Sequence, residues 1–495
     1  MERLINFDWT TLTGLCFPIL LLFGMGLVIT LVSAFSIQSP RSKSTVVIQI
    51  LTGLSLAVAL FFTWKLWLAG PALSFSALVF DRLSFSFDLI LLLAALLTLF
   101  LSKDYLPSEG IHDGEYYALL LFATAGTMLI AHGGDLIVLF LGLEIASIAV
   151  YILAGFKKGI IRSYEAALKY FIMGSFASGF LVYGIAMAYG VTGTTSLSAL
   201  QNITLPPAEP ILVFLAVALL LIGVCFKIAA VPFHLWSPDV YEGSPTSVTA
   251  FMASAIKVAG FAILIRLILA LGHIPQIPWT KVLWVLSALT MTVGNLVAIR
   301  QTNIKRMLAY SSIAHSGNAL VGITAALQKN ALAEATLGAV LFYLFAYSLM
   351  TIGAFAVVIA IGRRGEQADE MTDYAGLAQK HPFLAGALAV FLFSLMGMPP
   401  TVGFVGKFYL FAGAMEAGLY GLVIIAVLNS CVSAYYYLGP IIRMYFHKEQ
   451  DYVLPPLSYT LLTTIFLCLF VVLYLGIFPS DVYLLARESF RELVF

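Results

Sequence analysis

Pro210-Ile-Leu-Val-Phe-Leu-Ala-Val-Ala-Leu-Leu-Leu-Ile-Gly-Val-Cys-Phe-Lys-Ile-Ala-Ala-Val-Pro232 is an apolar run holding one lysine and closed by a proline. Its length matches a bilayer-spanning helix, which needs about 20 apolar residues. Lys227, near its end, costs roughly 2.5–3.5 kcal/mol in hydrocarbon by the gentlest scale, so it must face a protein interior or a wet cavity. Pro232 has no N–H to donate to the Ile228 carbonyl, and the helix is expected to break one turn after the lysine. Lys169, Lys257 and Lys407 also lie inside long apolar stretches. Ionisable groups in such places mark ion or proton pathways.

The whole chain extends this reading. Of its 495 residues, 61% are hydrophobic and 10% charged, against about 25% charged in soluble domains, which excludes a soluble fold. Fourteen spans are expected, at 14–36, 46–68, 81–102, 116–132, 135–156, 162–190, 210–230, 244–271, 281–300, 304–326, 334–361, 382–410, 418–446 and 457–478. The first reads as a retained helix, because Met1 to Thr13 has no basic segment and the apolar run after it is too long for a signal peptide. The chain is therefore read as one polytopic, all-α membrane domain over 1–495. Within it, three N-terminal helices (1–114) precede two five-helix units (115–272 and 280–447), and a last helix and tail (448–495) follow.

Cys16, Cys225, Cys431 and Cys468 are isolated, with no CxxC, CxxCH or His/Cys cluster. No iron–sulfur, haem or zinc site is expected in this chain. No P-loop or strand-linked GxGxxG suggests a nucleotide, and no nucleic-acid partner is expected.

Basic residues set the orientation. With alternating spans, Arg41, Lys43, Lys103, Lys157, Lys158, Arg162, Arg300, Lys305, Arg306, Arg363, Arg364, Lys380, Arg443 and Lys448 share one side. The other side holds Arg3, Arg82, Lys281, Lys329, Arg487 and Arg491. The first side is expected to be cytoplasmic, with both termini opposite it. Lys65 and Arg266, near span ends, stay unassigned.

A second break is expected in Gly397-Met-Pro-Pro-Thr-Val-Gly403, ahead of Lys407, where Pro399 and Pro400 free the carbonyls of Leu395 and Met396. Irregular backbone at membrane depth is tolerated only where protein or water covers it. Paired interruptions in corresponding positions are a mark of inverted repeats in transporters. Spans 4–8 and 9–13 would be those repeats, with spans 7 and 12 equivalent.

Glu144 lies deep in the fifth span. It reads either as a protonated structural carboxyl or as the ionised partner of a buried lysine. Lys169 has Glu165 four residues before it, in the favoured order on a helix, so local neutralisation competes with a role in a relay. Lys227, Lys257 and Lys407 have no acid within reach on their own spans, and Glu144 is the natural partner for Lys227. Desolvation disfavours a buried ammonium, and a carboxylate about 4 Å away favours it by roughly 4 kcal/mol at an effective dielectric of about 20. Opening or closing a Glu144–Lys227 pair would then switch the lysine between holding and releasing a proton. Lysine suits this task, whereas arginine stays charged. His234 and His315 are candidate relays, or else packing residues.

The stretch from Phe226 through Val-Pro-Phe-His-Leu-Trp-Ser-Pro-Asp-Val-Tyr-Glu-Gly-Ser-Pro-Thr246 resembles the signature of the antiporter-like subunits of respiratory complex I. Asn303-Ile-Lys-Arg-Met-Leu-Ala-Tyr-Ser-Ser-Ile-Ala-His-Ser-Gly317 and Gly376-Leu-Ala-Gln-Lys-His-Pro382 support that resemblance, which runs from about Asp81 to Tyr445. The wording Val-Tyr-Glu-Gly-Ser-Pro-Thr is most similar to the N members. The resemblance implies fourteen core helices, two inverted repeats with broken helices 7 and 12, and a proton path along Glu144, Lys169, Lys227, Lys257 and Lys407. It implies a subunit of an NADH:quinone oxidoreductase in a bacterial plasma membrane, embedded in lipid among membrane and peripheral subunits. Those partners would carry NADH, FMN, iron–sulfur clusters and quinone, and this chain none. Two alternatives stay open on sequence: a subunit of a sodium/proton antiporter or membrane-bound hydrogenase of the same fold, or a non-pumping scaffold.

Overall fold

The computed structural model describes residues 9–35, 41–75, 77–111, 114–203, 210–275, 277–328, 333–362, 369–448, 457–491 and 493. Arg3, Lys329, Arg363 and Arg364 lie outside them. The spans form α1 (Trp9–Phe35), α2 (Arg41–Ala69), α3 (Arg82–Ser108), α4 (Glu115–Ala131), α5 (Leu136–Ala154) and α6 (Ile161–Thr192). The seventh span is two pieces, α7a (Pro210–Lys227) and α7b (Trp236–Gly243). There follow α8 (Thr246–Leu271), α9 (Trp279–Ala298), α10 (Ile304–Gln328) and α11 (Ala333–Ile361). The twelfth span is again split, into α12a (Pro382–Met396) and α12b (Val402–Glu416). The chain continues through α13 (Tyr420–Phe446), α14 (Tyr459–Ile477) and a short α15 (Ser480–Glu488). All fourteen expected spans are thus helical among the described residues.

Ten of these helices are long and apolar enough to cross a membrane, and α4, α7a and α12a are shorter apolar helices. The remaining span, α10, has 25 residues but is too polar to qualify. Its Ser311, Ser312, His315, Ser316 and Asn318 are nevertheless buried. A polar helix survives there because other helices, not lipid, surround it. α8 and α11 are likewise almost wholly buried, and with α10 they form the centre of the bundle.

Contacts between loops fix the alternation of the spans. At one end, Tyr105 accepts a hydrogen bond from the Thr246 amide at 3.0 Å, and Lys157 pairs with Glu109. There too Arg306 pairs with Glu242 at 2.8 Å, and the Gly376 amide reaches the Arg443 carbonyl at 3.1 Å. At the other end, the Val79 amide meets the His132 carbonyl at 2.9 Å, and the Leu197 amide meets Gly134 at 2.9 Å. Lys157, Lys305, Arg306, Lys380 and Arg443 therefore gather on the end expected to be cytoplasmic.

One element was not foreseen in an all-helical reading. Leu73–Phe75 and Leu78–Phe80 (β1 and β2) form an antiparallel hairpin, with Leu73 opposite Phe80. Strands of three residues are too short to show a period of two. Asp81, just after the hairpin, caps α3 by accepting from the Ser84 amide at 2.8 Å. It also takes both Arg266 Nη groups, at 2.9 and 2.8 Å, with both side chains buried. The charge left unassigned in the eighth span is thus a bidentate buried pair that ties α8 to α3.

Candidate functional site: a buried lysine array

α7a ends at Lys227 and resumes as helix at Trp236. The Ile228 carbonyl, which Pro232 cannot serve, accepts the Ser316 hydroxyl of α10 at 2.7 Å. The Phe226 carbonyl accepts the Trp236 indole at 2.9 Å. The break is therefore closed by side chains from protein, as membrane depth requires. Lys227 is 5% exposed and its Nζ makes no hydrogen bond. It faces the rings of Tyr170 and Tyr151, 5.4 and 5.5 Å from their centroids, within cation–π range.

Glu144 accepts the Ser178 hydroxyl from α6. No ion pair joins it directly to Lys227 or Lys169 among the described residues, so the expected direct Glu144–Lys227 contact is not formed in this conformation. Lys169 is held instead by Glu165 at 2.6 Å and by Asp239 of α7b at 2.7 Å. Asp239 also takes Arg306 at 2.6 Å, and Arg306 reaches Glu242 at 2.8 Å. Lys169 is 41% exposed along its side chain, so it sits at the rim of the chain, unlike the other three lysines.

Lys257 is 2% exposed and follows a single π-helical turn, Met252–Ile256. Such widened turns recur at functional positions. Its ammonium donates to the Ser312 carbonyl at 2.6 Å and to the Ser312 hydroxyl. The Ser312 carbonyl also accepts from Ser316 at 3.2 Å. One face of α10 thus connects Lys257 to the break beside Lys227.

The same helix leads onward. His315 Nδ1 lies 2.6 Å from the Tyr343 hydroxyl, and Nε2 lies 3.2 Å from the Tyr437 hydroxyl. A neutral imidazole donates from one nitrogen and accepts at the other, which suits a relay between two phenols. Asn318 donates to Tyr343 at 3.3 Å, and Tyr437 bonds Ser311. A small polar cavity bounded by His315, Asn318, Tyr437, Asn429 and Lys407 opens beyond them, with room on the order of one water molecule.

Lys407 is 6% exposed and donates to the carbonyls of Leu395 and Met396, at 3.1 and 2.8 Å. These are the two groups that the Pro399–Pro400 pair frees. Gly397 adopts φ +92°, and a Cβ there would lie 3.0 Å from Lys407 Cδ, so the side chain passes over a residue that must be bare.

His234 is buried in the first break, and no side-chain hydrogen bond joins it to the array. Asp239, Ser178, Ser312, Ser316, Tyr343 and Tyr437 carry the connections but were given no role on sequence. Their roles depend on which helices touch, which spacing along one helix does not reveal. Among the described residues no cluster of three or more His, Cys, Asp or Glu side chains is arranged to hold a metal.

Two buried lysines thus lie beside two broken helices, with a polar central helix between them. Residues 133–433 match the family described as NADH:quinone oxidoreductase/Mrp antiporter, TM. An NADH-quinone oxidoreductase subunit N from Trichlorobacter lovleyi is 50% identical over 381 residues, covering 76% of this chain and 77% of that one. One from Chloroflexus aggregans is 42% identical over 478 residues, covering 95% and 96%. A chain of Thermus thermophilus respiratory complex I with bound aureothin superposes with a TM-score of 0.79 at 35% identity, covering 95% of this chain and 99% of that chain. A chain of the Mrp complex from Dietzia sp. superposes at 0.80 with 23% identity over 96% of each, a likeness of fold alone. The chain belongs to the subunit N family of NADH-quinone oxidoreductase, a multi-pass membrane subunit of a respiratory complex.

Proposed function

We propose that the chain translocates protons across the membrane along Glu144, Lys169, Lys227, Lys257 and Lys407, driven by quinone reduction elsewhere in the complex. The observation that carries this reading is the hydrogen-bonded face of α10. Ser316 and Ser312 link the Ile228 carbonyl to Lys257, and on the same helix His315 bonds Tyr343 and Tyr437 beside the small cavity that Lys407 borders. A buried polar network of this length is expensive unless it has a use. Lysines, hydroxyls and an imidazole at hydrogen-bond distance are groups that can pass a proton in turn.

Residues 115–272 and 280–447 are read as inverted repeats. Spans 7 and 12 run in opposite directions, and each is broken by proline beside a lysine. In this reading the redox groups (NADH, FMN, iron–sulfur clusters and quinone) belong to partner subunits, and the bacterial plasma membrane holds the complex. The test is the intact complex in proteoliposomes, with quinone reduction and the proton gradient measured together. Lys257→Met should lower the gradient in an assembled complex, and a normal gradient would overturn the proposed path.

A further inference from the structure

Between α2, α3, α11 and α15 lies an apolar groove of about 370 Å³, within the range of about 300–1,000 Å³ typical of ligand sites. None of the lysine array borders it. Its walls include Leu60, Trp64, Leu93, Phe345 and Leu485. On α3 the lining residues Ser86, Leu89, Ile90 and Leu93 share one helical stripe. Arg82, one turn before Ser86, continues that stripe to the end of the groove.

The surroundings of Arg82 are unusual. Its guanidinium lies 5.7 Å from the ring centroid of Trp67, another wall residue, and Trp67 stacks on Trp64 at 5.6 Å. Its Nε is buried without a hydrogen-bond partner. Gly70, at φ +59°, lets the backbone close on the group, since a Cβ there would lie 2.8 Å from Nη2. No carboxylate of the described residues pairs with it. Across the groove, α15 carries Arg487 immediately after the wall residue Ala486, and Arg491 lies beyond it. Arg487 and Arg491 face Glu334, at 3.6 and 3.5 Å, whereas Arg82 at this end of the groove has no such carboxylate.

We propose that the groove binds an anionic phospholipid of the leaflet at this end, with an acyl chain along α3 and its phosphate on Arg82. A guanidinium fork matches phosphate oxygens, and tryptophans mark the headgroup level. The lined stripe from Ser86 to Leu93 is about 10 Å long, enough for part of one acyl chain. A neutral occupant, whether a quinone tail or an apolar helix, would cover a half-buried guanidinium without giving it a counter-charge, which is costly.

The intact complex can be placed in phosphatidylcholine vesicles carrying a trace of photoreactive lipid, either phosphatidylglycerol or phosphatidylcholine, with the reactive group in the acyl chain. Phosphatidylglycerol should label the Leu60–Trp67 and Leu89–Leu93 peptides about five-fold more than phosphatidylcholine, as expected for one basic residue at a membrane surface. Arg82→Gln should equalise the two lipids. Leu93→Trp should fill the groove and abolish labelling by both, while quinone reduction is unchanged. Equal labelling of the unaltered complex by the two lipids would overturn the proposal. So would labelling that persists in Leu93→Trp, or crosslinking of these peptides to a neighbouring subunit instead of lipid.

Discussion

The Lys407 ammonium donates to the Met396 carbonyl at 2.8 Å, so the helix break created by two prolines is also the cradle of a buried charge. Broken ends leave carbonyls without amide partners, and a cation completes them. The amine is held by neutral groups alone, with no carboxylate among its hydrogen-bond partners. Lys407→Met should therefore leave the complex assembled while quinone turnover and proton gradient fall together, because a blocked path stalls the shared motion. Lys407→Arg should fail as well, since arginine does not release a proton. Both rates are read in the same proteoliposomes, and normal gradient formation by the Met variant would make Lys407 structural.

Glu144 is the one carboxyl of the array deep within a span, and it is held by Ser178. Glu144→Gln keeps its size and removes its charge. It should impair pumping, with Glu144→Asp less affected and Ser178→Ala intermediate. A glutamine variant that pumps normally in an assembled complex would rule out a charge role for Glu144.

Asp239 is shared by Lys169 and Arg306, at 2.7 and 2.6 Å. In Asp239→Asn, Lys169 keeps Glu165 and Arg306 keeps Glu242. These side chains are partly solvent-exposed, so the stability loss should stay below about 1 kcal/mol. The proton gradient should nonetheless drop, because the charge joining α6 to α10 is gone. Thermal denaturation and pumping assays on one preparation separate the two effects.

Arg266 and Asp81 make the opposite case. Both are buried, and removing one partner of such a pair costs about 3–5 kcal/mol. Arg266→Met should lower the yield and melting temperature of the complex. Pairing it with Asp81→Asn should restore much of the loss. Single and double variants compared by thermal unfolding in detergent give the coupling directly.

Orientation can be measured independently. Single cysteines replacing Lys157 and Lys380 should be labelled from the cytoplasm, and one replacing Lys281 from the opposite side. Labelling of Lys157 and Lys380 positions from different faces would break the fourteen-span topology.

The sequence disclosed the helices and both breaks because bilayer length and proline chemistry are local properties. The carbonyls freed by Pro399 and Pro400 were legible as well, but that Lys407 folds back to occupy them shows only in the structure. The partner of Lys169 did not follow. Glu165 was visible one turn away, but Asp239 lies 70 positions further along and meets it only through packing of α7b on α6. Lys227 lies within electrostatic reach of Glu144, as expected, but makes no ion pair with it and faces two tyrosine rings. Ring faces leave no trace in a pattern of charges. Arg266 and Asp81, 185 positions apart, were illegible for the same reason.

The polarity of α10 bears on how the chain is made. A segment carrying Lys305, Arg306, His315 and several serines would not leave a translocation channel for lipid on its own, since each charge there is penalised. It has a companion in α9, which meets it backbone to backbone: a Cβ on Gly317 would collide with the Met291 amide nitrogen at 2.6 Å, and Ser287 donates to the Gly317 carbonyl at 2.8 Å. The two helices are therefore expected to enter the bilayer as one hairpin, with α9, long and apolar enough to span, supplying the surface that meets lipid.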